Sequence, residues 1–489
     1  MVLSLFYPCE AQTFTYIAGY EPFTNVTNHA RIDLDVVSII SSLSLYDYAT
    51  AKSIFEHGEN SWKTEFTLLR NIDGFSGASK MANEKWFKTA NQYWAMKGVS
   101  TESNYNYASV MVKAGMDGSS VGSTGFTFSD KDNAYKVDAI KKSIVYLNIW
   151  MYVIWEMQDA IDDCVLGDSS DNYASVHAWD EAVAFYTGSN EGTSQGGDNA
   201  LGSPSGTGIN NDGVLLFNLA EKRCQNFGTC TADYDSDPTS GYSAVNNEIF
   251  AKFTTAKTQL QNAHTGSGSF TCKDIYEAKD EIATLMLVPL IQGTLRYLYK
   301  TDAHVTGGDT SSDTFKKENG ELFAFSAGIQ PFVYNCSVTA GNYLYERSFN
   351  DDMSLTFEEH KASLESVYSC LGISCTDIGG LCDTGSSELN CPAYTDGSAS
   401  WDTSTCTDTA AYASTTSDND SVPSWAVGLI SFFCVAFVLA AVGAVCLYQR
   451  GNRYKNMVPE ESMGLQPAMI QGKMMNVGSS HERVPANDV

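Results

Sequence analysis

Positive charge is scarce in this chain: 30 Lys and Arg stand against 58 Asp and Glu among 489 residues, a formal net charge of −28. Such a field repels nucleic acid and anionic membrane and raises the local concentration of cations. Histidine is scarce too. Of seven residues six precede residue 425, where more than twenty tyrosines accompany them, a balance that favours hard oxygen donors over zinc or copper held by imidazole clusters. No His-Glu-x-x-His helix, no nucleophile-elbow serine between a strand and a helix and no convincing Cys and His pair occurs, so the chain is expected not to be an enzyme. Cys-x-x-Cys pairs are also missing, which speaks against a zinc site among the cysteines.

What is present begins with residues 425–448, an uncharged run bracketed by Trp425 and Tyr448 and followed by Arg450, Arg453 and Lys455. About two dozen helical residues at roughly 1.5 Å each span a hydrocarbon core of about 30 Å. A single C-terminal transmembrane helix is expected, with the cytoplasmic tail at 449–489 and everything before it an ectodomain at the plasma membrane. Three glycosylation sequons, at Asn25, Asn335 and Asn419, all lie on the outer side, as do eleven of the 13 cysteines; in an oxidising compartment these read as disulfides. Residues 1–11 read as an atypical or clipped signal peptide, whose removal takes Cys9 and leaves an even number.

The ectodomain repeats itself. Tyr48 to Lys52 answers to Phe253 to Lys257, Glu181 to Gly188 to Glu321 to Gly328, and Phe217 to Lys222 to Asn342 to Arg347. The second match has an offset of 140, which also lays Ile144 to Asp162 over Thr284 to Asp302 without a gap. Short matches in one order point to a duplication. The expected fold is all-α, with two helical lobes at 13–232 and 240–392, the latter with a Cys-rich end. Apolar residues recur at three- and four-residue intervals in each lobe. Pro289 is a place for a kink. Residues 189–213 read as surface loop and 393–424, rich in Ser, Thr and Asp, as a solvated stalk.

One helix carries the chemistry. Tyr152, Glu156, Asp159 and Asp163 are spaced four, three and four and share a face, whereas Ile149, Trp150, Val153, Ile154 and Trp155 occupy others. If that face is wet, nothing follows; if it points inward, like charges need cations beside them and the face is a metal site. His177, Asp180 and Glu181 share a face of the next helix. In the second copy Glu156 aligns with Arg296, Asp159 with Tyr299, His177 with Lys317 and Glu181 with Glu321. The candidate metal ligands are therefore Tyr152, Glu156, Asp159, Asp163, His177, Glu181, Tyr299 and Glu321. Arg296 and Arg347 are candidates to hold a small anion such as carbonate, either against the alternative of structural pairing. Carboxylate and phenolate suit ferric iron, and a phenol ionises near neutrality only under a strong Lewis acid, so binding should weaken on acidification.

The runs 49–61, 177–189 and 219–230, with the two helical repeats, resemble the algal low-iron-inducible periplasmic family. With stalk, membrane helix and tail they resemble the phytotransferrins, iron-starvation-induced surface proteins of diatoms. The likeness covers most of residues 13–392. It implies carbonate-dependent capture of Fe(III) at the cell surface, then internalisation and release in an acidified vesicle. In the tail, Tyr454 to Met457 fits a tyrosine-based sorting peptide, which would engage a clathrin adaptor or other endocytic machinery. Two other readings remain: a metal-dependent surface hydrolase with His177 and Glu181 as ligand and base, and an adhesion or structural surface glycoprotein.

Overall fold

Apolar periodicity becomes helix wherever the chain is described. The computed structural model describes residues 17–64, 67–77, 84–166, 173–189, 213–231, 242–265 and 271–381. Its helices are α1 (Thr27–Ala30), α2 (Ile32–Ser44), α3 (Tyr48–His57), α4 (Lys85–Met96), α5 (Tyr107–Asp117), α6 (Asn133–Ser143), α7 (Trp150–Leu166), α8 (Ala174–Thr187), α9 (Leu216–Phe227), α10 (Ala244–His264), α11 (Lys273–Thr306), α12 (Asp313–Cys336), α13 (Val338–Phe349) and α14 (Phe357–Glu365), followed by turns at Tyr368–Leu371 and Cys375–Ile378. A π-helical segment, Ile144–Ile149, joins α6 to α7. Two antiparallel ribbons, β1 (Trp62–Thr64) with β2 (Leu68–Leu69) and β3 (Cys230–Thr231) with β4 (Tyr242–Ser243), are the strands among the described residues.

Local chemistry sets the ends. The periodic run from Val36 to Phe55 is divided because Tyr46 is left-handed at φ 60° and the Asp47 carboxylate accepts from Thr50 N–H at the start of α3. Ser243 and Ser312 cap α10 and α12, and Thr356 with Glu359 forms a capping box on α14. Pro289 does not end α11, whose 34 residues run through it with Val288, Leu290 and Ile291 all buried. This helix is long and apolar enough to cross a membrane, but most of its apolar stretch lies inside the protein, where it serves as a core helix. The membrane helix expected at 425–448, the stalk and the tail, with Asn419, Tyr454 and Met457, lie outside the described residues.

Helical stretches of equal length stand at the 140-residue offset. The continuous helical stretch from α6 through α7 runs from Asn133 to Leu166, and α11 runs from Lys273 to Thr306, both ends displaced by 140. The expected pair of lobes is not two separate cores. Here α12 packs on α6, α7 packs on both α8 and α11, and one continuous apolar cluster holds residues from both copies. Each amphipathic copy buries its face against the other. Covalent links reinforce this: Cys164–Cys272 joins the end of α7 to the start of α11, Cys224–Cys230 closes the turn after α9, and Cys336–Cys370 ties the end of α12 to the turn beyond α14. The Cys-rich group therefore reaches back to Cys336 rather than pairing only within itself.

One buried ion pair crosses between the copies. Lys279 of α11 lies 2.8 Å from Glu84, with side chains 3% and 0% exposed, and also donates to Gln158 Oε1 at 2.8 Å. Glu84 in turn caps α4 by accepting from Phe87 N–H at 3.0 Å. Removing one member strands a buried charge. Glu84→Ala should cost about 3–5 kcal/mol in chemical denaturation, and adding Lys279→Met should recover part of the loss. Equal stability of wild type and the single variant would refute this account.

Candidate metal centre

The site is assembled from one turn of α8 and three segments brought to it. On α8, His177 and Glu181 stand one turn apart, and the His177 Nε2 lies 2.9 Å from Glu181 Oε1. From α1 comes His29, whose Nε2 lies 2.7 Å from the same oxygen. Arg70, just after β2, donates to the Trp62 carbonyl and abuts His29 Nε2. From α7, Tyr152 and Glu156 complete the ring of groups: the Tyr152 phenol donates to Glu156, and both face Glu181 or Arg70 electrostatically. Glu156 is 2% exposed and Tyr152 6%. The carboxylate face of α7 is an inward face at these two positions.

Packing fixes the phenol. Its ring stacks on Phe75 with centroids 3.9 Å apart and 4° between planes, and the edge of Phe185 closes a second side at 5.2 Å. Burial, then the neighbouring Glu156, pushes the Tyr152 pKa well up, so the phenol is neutral in the metal-free protein. Burial alone would raise Glu181, but hydrogen bonds from His177 and His29 and their charge hold it well below the usual carboxylate range. The two imidazoles part ways. Burial lowers His29, whereas at half-exposed His177 burial is outweighed by the bond to Glu181 together with the charges of Glu181 and Asp180, and the pKa is raised.

Tautomers follow from the second ring nitrogens. Thr24 gives its hydroxyl hydrogen to Asp180 Oδ2 at 2.8 Å, so its oxygen can only accept from His177 Nδ1–H, 2.8 Å away. That aims the His177 Nε2 into the site, the arrangement by which a ligating histidine is oriented through its other nitrogen. Asp180 is in turn held by Thr24 N–H and by the Tyr20 phenol, each at 2.7 Å. It is therefore a support for His177 and not a ligand, although it shares a helix turn with Glu181. His29 Nε2 donates to Glu181 when protonated and accepts from Arg70 when bare; the bare form is also the one a metal takes.

His29, His177 and Glu181 offer ligand atoms that all lie within 4.8 Å of one another. Donors bound at about 2.1 Å in perpendicular directions stand about 3 Å apart, close to the 2.7 and 2.9 Å found here. Tyr152 and Glu156 add two hard oxygen donors at the same place, and the Arg70 guanidinium can carry an anion beside a bound cation. Sequence spacing identified Tyr152, Glu156, His177 and Glu181; it missed His29 and Arg70. Asp159 and Asp163 lie one and two turns further along α7, half-buried.

The second-copy candidates stand elsewhere. Tyr299 packs edge-on against Phe357, and the phenol that reaches Glu321 is that of Tyr297. Arg296 lies over the Tyr297 ring with its guanidinium 5.1 Å from the centroid. Arg347 donates to Asn319 Oδ1 at 3.0 Å and faces Asp351, Asp302 and Asp352. Asn25 and Asn335 are both exposed, as glycosylation requires.

Imidazole, carboxylate and phenol gathered beside a guanidinium make a donor set of the kind that can hold a metal cation. Residues 7–217 match the family model described as Fea1, low iron-inducible periplasmic protein. All six residues of the centre fall inside the matched stretch, whereas Arg296, Tyr299, Glu321 and Arg347 fall outside it. No curated protein and no solved structure matches the chain.

Because Thr24 aims His177 without touching the metal position, Thr24→Val should lower metal affinity about 10- to 100-fold in calorimetric titration, and should lower the stability of the metal-free protein by only about 1.5–3 kcal/mol, since Asp180 keeps the Thr24 N–H and the Tyr20 phenol. An unaltered affinity would remove Thr24 from the site.

Proposed function

We propose that the protein captures ferric iron at the cell surface, with carbonate as the accompanying anion. The observation that carries this reading is the convergence of His29, His177 and Glu181 with Tyr152, Glu156 and Arg70 inside the region matched by a low-iron-inducible family. The His-His-Glu group by itself suits ferrous as well as ferric iron. Two further hard oxygens, one of them a phenol, tilt the set toward the trivalent ion. Arg70 takes the place of Arg296 and Arg347 as the carbonate partner in this reading, since it is the guanidinium that faces the centre. Tyr152, neutral in the metal-free protein, would give up its proton to bind.

The rest of the reading follows from the sequence. A helix at 425–448 would tether the ectodomain to the plasma membrane, and Tyr454 with Met457 would pass the loaded protein to endocytic machinery. Protons compete with the metal for imidazole and phenol, so acidification of a vesicle would release the iron. A hydrolase would need a free base beside the metal. Glu181 is instead occupied between two imidazoles, which supports a binding role over a catalytic one. An adhesion protein would need no such centre.

Titrating the full-length protein in detergent with ferric citrate tests this. With bicarbonate present a visible phenolate-to-iron band should grow in and saturate, and it should be lost in Tyr152→Phe. Glu181→Gln should abolish tight binding. Apparent affinity should fall by about tenfold per pH unit for each proton displaced as the pH drops from 8 to 5. Wild-type protein that binds no ferric iron, or binds it equally well as Glu181→Gln, would reject the proposal.

A further inference from the structure

The second copy carries, at the place equivalent to the metal centre, a cluster of opposite sign. The 140-residue offset replaces Glu156 by Arg296 and His177 by Lys317 while keeping the carboxylate, Glu181 becoming Glu321. Around Glu321 the fold adds Lys141 and Lys142 from α6 and Arg223 from α9, so five cations meet the two carboxylates Glu321 and Asp138. In a chain of net charge −28 this local excess of positive charge is an exception.

The carboxylates are already engaged. Asp138 pairs with Lys141, and Glu321 takes the Tyr297 phenol and lies 3.7 Å from Lys142 Nζ. Arg223 is 7% exposed, yet its Nε and one terminal nitrogen have no hydrogen-bond partner, and the Nε of Arg296 has none either. The two guanidiniums act on each other, and Arg223 faces Tyr146 and Tyr297 as well as Glu321. Tyr146 lies on the π-helical segment, a distortion that recurs at functional sites. It and Tyr297 both stack on Phe325, at 4.7 and 5.5 Å, which fixes the wall beside the guanidiniums.

Buried guanidinium nitrogens without hydrogen-bond partners are costly, and such nitrogens are matched by oxyanions that accept several N–H bonds at once. We propose that Arg223 and Arg296, with Lys142 at the rim, form a binding site for a small divalent oxyanion of the phosphate or sulfate kind, separate from the metal centre. The inference does not rest on the iron reading. Two guanidiniums with no hydrogen-bonded carboxylate call for negative charge, and the Tyr146 phenol can donate to a remaining oxygen, the Tyr297 hydrogen being given to Glu321.

The test is a thermal-shift and calorimetric titration of full-length protein in detergent with sodium phosphate, sodium sulfate and sodium bicarbonate, each against sodium chloride at equal ionic strength. Phosphate or sulfate should raise Tm saturably over chloride. Arg296→Gln, at a half-exposed position, should weaken that binding by at least about tenfold. Arg223→Met should abolish the effect while the anion-free variant melts no lower than wild type, because an unpaired buried charge has been removed. Glu181→Gln should leave the phosphate response intact, which separates this site from the metal centre. No divalent-anion effect beyond chloride, a response to bicarbonate alone, or equal responses in wild type and Arg296→Gln would each overturn the proposal.

Discussion

A buried carboxylate stays ionised only while positive charge and hydrogen-bond donors are brought to it, and Glu181 imposes that condition on a large part of the fold. The helix bearing it supplies one donor, His177, from the preceding turn. The other groups come from far away in the chain: His29 from a four-residue helix near the start, and Arg70 from the edge of a two-stranded ribbon. Each of these segments is too short to hold its own conformation, and each is fixed by what it meets at the site. The segment from Ile17 to Ala30 is attached through Tyr20 and Thr24 to Asp180, the residue beside Glu181. The turn of α8 that carries the ligand thus also anchors the segment that delivers the second imidazole.

Long periodic helices and the shared face of Tyr152 and Glu156 could be read from sequence because each has a period, whereas the direction of that face, inward or wet, has none. Spacing alone places Tyr152 next to Glu156, and His177 next to Glu181, within one or two turns. It cannot say that two such faces meet, and it gives no signal for His29 or Arg70, which lie in short elements with no repeat. The same reasoning explains Asp180, which the helix pattern groups with Glu181 but which turns toward Thr24 and Tyr20. In the second copy, alignment pointed to Tyr299, while the phenol that reaches Glu321 is Tyr297. A displacement of two positions changes the face of a helix, and only the packing of α11 against α12 decides which face is inward.

Across the 140-residue offset the helical scaffold is kept and the electrostatics are reversed. The stretch from Asn133 to Leu166 and the stretch from Lys273 to Thr306 hold equivalent places in the order of elements, and a glutamate follows each on the next helix. Around Glu181 the neighbours are imidazoles, a second carboxylate and one guanidinium; around Glu321 they are lysines and arginines. A common helical frame can therefore carry one centre suited to a cation and another suited to an anion, with a handful of side chains making the difference.

The shared apolar core has a consequence for biosynthesis. The face of α6 is covered by α12, which the ribosome delivers only after the stretch from Ser143 to Asp313. At about 5–20 residues per second that interval is on the order of ten seconds or more. Throughout it the nascent chain displays the hydrophobic face that α12 will cover, so it stays prone to association until translation has supplied the missing half.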